Sequence, residues 1–206
     1  ENVIIKTWSE KKTFDFPIKN HVELNEKLNL FDFERGSKIS GAGWPVYRQW
    51  GARLEWALIN YMMSIHIKNG FMQWMPPLLV RREMMYGSGQ IPKFEGQFYT
   101  LKDNQYDLYL LPTSEVALNG LHYDEILNES QLPAKYFAYT PCFRREAGGA
   151  GSQERGLIRM HQFNKVEMFA FSKPEDSMQI FEEMVLSAEE IKHDKKKQKW
   201  NIKMVG

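Results

Sequence analysis

Five side chains in one short run are spaced to do chemistry together. Arg159, His161, Phe163, Lys165 and Glu167 occupy alternate positions, so an extended strand puts them on one face, with Ile158, Met160, Val166, Met168 and Ala170 opposite. Upstream, Arg144 and Glu146 share a face beyond Cys142. Folding the chain about Gly151 sets Arg144 near Arg159 across an antiparallel pair. Two facing arginines repel unless something anionic lies between them. Charged residues on one side of a strand are most often the solvated face of an antiparallel sheet, and on pattern alone that alternative stands. The mixture points elsewhere: Phe163 can stack on a base, and an arginine can fork onto a phosphate. A second polar group, Pro112-Thr113-Ser114-Glu115, directly follows the apolar run Leu108 to Leu111 and precedes a helical stretch from Val116, which places it at a strand-to-helix turn.

Those residues need elements to hold them. Lys135 to Phe171 reads as a long-looped antiparallel hairpin, two strand-like runs around a connection containing Gly148, Gly149, Gly151 and Gly156. From Gly51 to His66, Leu54, Leu58, Tyr61, Met62 and Ile65 fall at helical spacing, with Arg53, Asn60 and Ser64 elsewhere on the wheel. Asn69-Gly70 ends that helix, and Phe71 to Met75 reads as a short strand stopped by Pro76-Pro77. Before it, the polar stretch from Lys11 to Asn29, broken by Pro17, predicts an extended lead-in and a short helix around Val22 to Leu28.

Composition excludes several classes. At 206 residues and 43% hydrophobic, the chain can build one sizeable core and is not broadly disordered. Twenty-seven basic residues nearly balance 26 acidic ones, so no global positive field marks a nucleic-acid binder. One cysteine, Cys142, rules out an internal disulfide framework and suits a reducing compartment; cytoplasmic location is the expectation. The start carries no secretory pattern, and nowhere do 18 apolar residues run together, so no membrane partner is expected. Gly41-Ala42-Gly43 and Gly149-Ala150-Gly151 lack the third glycine of a dinucleotide fingerprint, and no phosphate-loop motif occurs. The histidines at 21, 66, 122, 161 and 193 lack His-Glu-x-x-His or cysteine company. No protein-built metal site is therefore expected, and each lone histidine reads as structural.

Phe143-Arg144-Arg145-Glu146-Ala147-Gly148, Arg155-Gly156-Leu157-Ile158-Arg159 and His161-Gln162-Phe163-Asn164-Lys165-Val166-Glu167 together resemble motif 2 of the bacterial-type seryl-tRNA synthetases, class II aminoacyl-tRNA synthetases. Asp32-Phe33-Glu34-Arg35, Gly51-Ala52-Arg53-Leu54-Glu55, Met75-Pro76-Pro77, Tyr86 to Phe94 and Pro112 to Val116 support it in the same order, and the resemblance covers about Asn2 to Glu190. It implies an α+β fold, with a six- or seven-stranded antiparallel sheet flanked by helices and incomplete at the C-terminus. It also implies a serine-tRNA ligase, which activates serine with ATP to seryl-adenylate and transfers it to tRNA(Ser). The helix and strand from Gly51 to Met75 would be motif 1, which builds the homodimer interface.

By position, Arg144 resembles the catalytic arginine on the ATP α-phosphate, and Glu146 the acid near the adenine amino group. Phe163 resembles the ring that stacks on adenine. Arg145 and Met160 belong to the same ATP pocket, and Arg159 would support the motif 2 loop. Thr113, Ser114 and Glu115 resemble the loop gripping serine's amino group, and Glu167 the acid recognising the substrate, with Lys165 in support. For Ser114 and Lys165, a turn residue and a solvated strand lysine read equally well.

The resemblance further implies Mg2+ with the ATP, its ligands outside this sequence. The family's glycine-rich motif 3 and its tRNA-gripping helical hairpin are not found here, so residues 1–50 read as a lead-in, 51–191 as the catalytic core and 192–206 as a lysine-rich, truncated end. A synthetase-like binding module without catalysis, or an isolated core fragment, is the alternative, and little aminoacylation by this polypeptide alone is expected.

Overall fold

The computed structural model describes residues 4, 13–102, 107–146 and 156–193. The lysine-rich end beyond His193 and the loop glycines 148, 149 and 151 lie outside them.

The chain enters through α1 (His21–Leu28), whose Asn20 cap accepts from the Val22 and Glu23 amides in a capping box closed by the Glu23 side chain. Asn25 then ties the helix to the next segment. Its amide nitrogen donates to the Phe31 carbonyl at 2.9 Å, and its oxygen accepts from the Leu30 and Phe31 amides at 2.8 Å each. β1 (Phe31–Asp32) pairs antiparallel with β2 (Val46–Tyr47) around α2 (Phe33–Ser40), capped by Asp32. The Asp32 carboxyl lies below its usual range because it accepts from the Arg35 backbone and side chain.

α3 (Trp50–Lys68) closes with Gly70 at φ +79°, and the Phe71 amide reaches back to the His66 carbonyl at 3.0 Å, the pattern of a Schellman stop. The helix is where the sequence places it, but its buried face is centred on Ile59, Ile65 and His66, while Leu54 is 39% exposed. The difference comes from α6 (Ser177–His193), which packs along the C-terminal half of α3. His66 Nδ1 lies 2.9 Å from Ser187 Oγ, and Lys68 and Asn69 both bond Glu190.

His66 is therefore a structural histidine. Burial disfavours its charged form and pulls its pKa below the ordinary 6.5. The folded state thus holds fewer protons than the unfolded one just below that value. Stability should be flat above it and should fall as pH drops below it, by at most about 1.4 kcal/mol per pH unit. Urea midpoints between pH 5 and 8 should show that slope in the wild type and lose it in His66→Asn, whose amide keeps a partner for Ser187.

Two three-stranded sheets follow. β4 (Leu79–Arg81), β5 (Thr100–Lys102) and β6 (Asp107–Leu110) form one, antiparallel throughout with β6 central. It packs with α4 (Arg82–Gly87) and α5 (Ser114–Gly120) around Val80, Met85, Tyr109, Leu111 and Val116. The other holds β3 (Met72–Trp74), β7 (Ala134–Phe143) and β8 (Gln162–Phe171) with β7 central. Here the β3 and β7 pair is parallel, and β7 with β8 is the long hairpin, in register from Ala134–Phe171 to Phe143–Gln162. The arrangement is α+β, with helices flanking largely antiparallel strands as expected, and among the described residues these strands fall into two three-stranded sheets beside the β1–β2 pair. The two larger sheets meet where the Phe143 amide donates to the Leu111 carbonyl at 2.9 Å. β3 pairs only with Tyr136 to Ala138, so β7 has β8 alone beside it at Pro141, where a missing N–H is tolerated.

Candidate active site

The junction between the sheets opens into a cleft of about 400 Å³. Thr113 and Glu115 line it from the β6–α5 turn, Arg144 and Glu146 from the end of β7, Arg159 from the turn before β8, and Lys165 from β8 itself. The turn forms for a local reason. Thr113 is extended, caps α5 by accepting from the Glu115 amide at 3.2 Å, and is 2% exposed. Its hydroxyl also ties the turn to β8, donating to Glu167 Oε2 at 3.0 Å and accepting from Lys165 Nζ at 2.7 Å. Lys165 and Glu167 are ion-paired directly along the strand, as side chains two residues apart on one face can be. Thus Glu167 joins the site through Thr113 and Lys165.

Arg144 is held on two sides. Its Nε donates to the Pro112 carbonyl at 3.3 Å, and its guanidinium lies 5.0 Å from the centre of the Phe163 ring. With Nε spent on Pro112, the terminal amino groups are the part of the fork that can grip a phosphate.

The hairpin register corrects one expectation. Phe143 faces Gln162, and the Arg144 amide donates to the His161 carbonyl at 2.9 Å. Arg144 is therefore opposite His161, and it is Glu146 that meets Arg159, at 2.9 Å. Across the hairpin the expected arginine pair is replaced by the Arg159–Glu146 salt bridge, with Arg144 beside it in the cleft. A second correction concerns the strand itself. β8 begins at Gln162, so period-two geometry does not place Arg159 or His161. Gly156, at φ +81°, opens a turn whose Leu157 amide donates to His21 Nε2 at 2.9 Å, and that turn carries Arg159 to the cleft.

Three other expected site residues are elsewhere. Arg145 turns outward, its amide on the Gln97 carbonyl and its Nη1 on the Gly96 carbonyl. Ser114 is fully buried with its hydroxyl unpartnered among protein atoms, and half-buried Met160 lies outside the cleft lining. Phe163 touches the Arg144 guanidinium but lines a separate, smaller hollow of about 120 Å³ with Trp44, Pro45 and Tyr47, not the cleft itself. Cys142, beneath Arg144, is buried, and burial pushes its thiol pKa up. It is an inert core residue.

Gln90, Phe94, Gln97 and Phe98 complete the wall, and residue patterning assigned them no part. Their segment is a series of turns with Gly89 and Gly96 at positive φ, which has no period to read. Its only sequence signal was the stretch from Tyr86 to Phe94.

Comparison with known proteins agrees with this geometry. Residues 94–198, just over half of the chain, match the tRNA synthetase class II core domain (G, H, P, S and T). Serine–tRNA ligase of Chlamydia caviae is 55% identical over 190 residues, 92% of this chain and 45% of that protein. The chain therefore spans less than half the length of such relatives. Among solved structures, seryl-tRNA synthetase from Pyrococcus horikoshii complexed with ATP superimposes with a TM-score of 0.83 at 40% identity, covering 88% of this chain and 40% of that one. Cytoplasmic serine–tRNA ligase from Naegleria fowleri in complex with AMP gives 0.77 at 32% identity, covering 82% and 40%. The match over residues 94–198 shows that this chain belongs to the class II tRNA synthetase core-domain family.

Proposed function

We propose that this chain is the core of a serine–tRNA ligase, which activates serine with ATP to seryl-adenylate and transfers the seryl group to tRNA(Ser). The observation that carries this is that Arg144, its guanidinium against the Phe163 ring, shares one cleft with Thr113 and Lys165, which both bond Glu167 behind them. The first half suits a nucleotide, the second a small amino acid. Serine's carboxylate oxygen attacks the α-phosphorus, a new P–O bond forms, and the bond to the β-phosphate oxygen breaks as pyrophosphate leaves. No covalent protein nucleophile is required. The protein must hold two anions in line and stabilise the charge that develops, which is work for Arg144. Glu146, opposite Arg159, offers a carboxylate to an adenine amino group, and Phe163 an aromatic surface to the base.

On the amino-acid side, Glu167 accepts from a donor already, and serine's ammonium or hydroxyl can join that acceptor. Among the described residues no group of three or more His, Cys, Asp or Glu side chains is arranged to hold a metal. Magnesium arriving with ATP would need only one or two protein carboxylates beside the phosphates. Homodimerisation through α3 and β3 is supported by their exposed Trp50, Trp56 and Met72, and a free, buried cysteine fits the reducing cytoplasm. No described helix is long and apolar enough to cross a membrane.

The test is serine-dependent exchange of pyrophosphate into ATP by the full-length protein containing this core, followed by charging of tRNA(Ser). Exchange with serine and not with threonine or alanine is expected. A protein that binds ATP but exchanges with no amino acid would be a binding module instead. In the same assay Thr113→Val should raise the KM for serine about tenfold, one buried hydrogen-bond network's worth, and leave the KM for ATP within about twofold.

A further inference from the structure

We infer that His161 is a positioning residue for Arg144, acting through an Nδ1–H bond to the arginine's own carbonyl. The inference rests on reading Arg144 as the phosphate-binding arginine. His161 Nδ1 lies 3.1 Å from the Arg144 carbonyl oxygen and 2.8 Å from Tyr99 Oη. A carbonyl oxygen can only accept, so a proton on Nδ1 satisfies both contacts, with the tyrosine oxygen sharing the donor. The opposite tautomer would set a lone pair against the carbonyl.

The imidazole is itself immobilised from three directions. Trp44 stacks on it with ring centres 5.3 Å apart and planes inclined by 15°. Its backbone is fixed at both ends, the His161 amide donating to the Gly43 carbonyl at 3.0 Å and the His161 carbonyl accepting from the Arg144 amide at 2.9 Å. Tyr99, its phenol pKa raised by burial, closes the third side.

This assigns a purpose to the Gly41-Ala42-Gly43 stretch, which is no dinucleotide fingerprint. Gly43 sits at φ +82°, and a Cβ there would stand 2.7 Å from His161 Cδ2. Glycine is what lets the chain pass close under the ring. Gly36 repeats the device one layer out, since a Cβ there would fall 1.7 Å from the Trp44 carbonyl oxygen. The segment from α2 to β2 is thus a bracket whose ring pair fixes the peptide carrying the arginine fork. A displacement of about 1 Å in such a group can cost two orders of magnitude in rate.

The experiment has two independent arms. Nitrogen NMR of the imidazole should show the Nδ1–H tautomer for His161, and amide exchange at Arg144 and Arg145 should quicken in His161→Phe, which keeps a ring against Trp44 but has no donor. ATP binding by the chain should weaken about tenfold in His161→Phe with an unchanged melting temperature, and return to within about threefold of wild type in His161→Asn, whose amide nitrogen stands where Nδ1 was. An Nε2–H tautomer would overturn the inference. So would wild-type affinity in His161→Phe, or equal loss in both variants. If the wild-type chain bound no ATP, the nucleotide reading would fail while tautomer and exchange still decided the role of His161.

Discussion

Replacing Arg144 by alanine should weaken ATP binding about a hundredfold, roughly 2.7 kcal/mol. The side chain is half in place before any ligand arrives. Its Nε is fixed on the Pro112 carbonyl and its plane on the Phe163 ring, so little rotamer freedom remains to be lost when a phosphate binds, and most of the charge-assisted bond appears as affinity. Arg144→Lys should recover little of it. Lysine is a point charge that cannot donate to Pro112 and hold a phosphate with a planar fork at once. Calorimetric titration with ATP at fixed ionic strength checks both variants. Their urea midpoints serve as the control, because Arg144 is outside the buried core. An affinity within about threefold of wild type in Arg144→Ala would remove this arginine from the nucleotide site.

A single methyl group on the first turn of α3 should cost several kcal/mol of stability. A Cβ at Gly51 would stand 2.1 Å from the Leu30 carbonyl oxygen and 2.8 Å from its carbon. Both are backbone atoms, and the same carbonyl accepts from the Arg48 amide at 2.9 Å, so it cannot swing away without breaking that bond. Alanine favours helices over glycine by about 1 kcal/mol. Here the clash should overwhelm that preference, and Gly51→Ala should destabilise the fold by about 3 kcal/mol, or roughly 6 to 12 °C in melting temperature. Thermal and urea unfolding measure it directly. A neutral or stabilising result would mean that the first turn of α3 does not pack on the segment that follows α1.

Much of this was legible before any coordinates. The hairpin from Lys135 to Phe171, the helix from Gly51, and the polar turn after Leu111 each follow from local rules: alternation, helical spacing, and a threonine cap after an apolar strand. The motif 2 pattern named the family on residues alone, and the match over 94–198 agrees. Less legible was the face of α3 that is buried. Periodicity weights Leu54 and Ile65 alike, and only the docking of α6 near His66 separates them. Likewise the partners of the histidines at 161 and 21 could not be read from residue patterning. Both work through backbone atoms, His161 on the Arg144 carbonyl and His21 on the Leu157 amide, and backbone partners leave no mark in side-chain patterning.

The sequence by itself determined the main elements that bear the candidate residues, because strand alternation and helix capping are set within a few residues of chain. Only the tertiary structure decided which of those residues meet. Register across the hairpin depends on where the connection lets the strands close, and one step of two residues exchanged a repelling Arg144–Arg159 pair for the Arg159–Glu146 bridge seen here. The cleft arose in the same way: Leu111 and Phe143 are far apart in sequence, and the single hydrogen bond joining them sets the Thr113 turn across from Arg144. Contacts of that range are settled by the packing of the whole core.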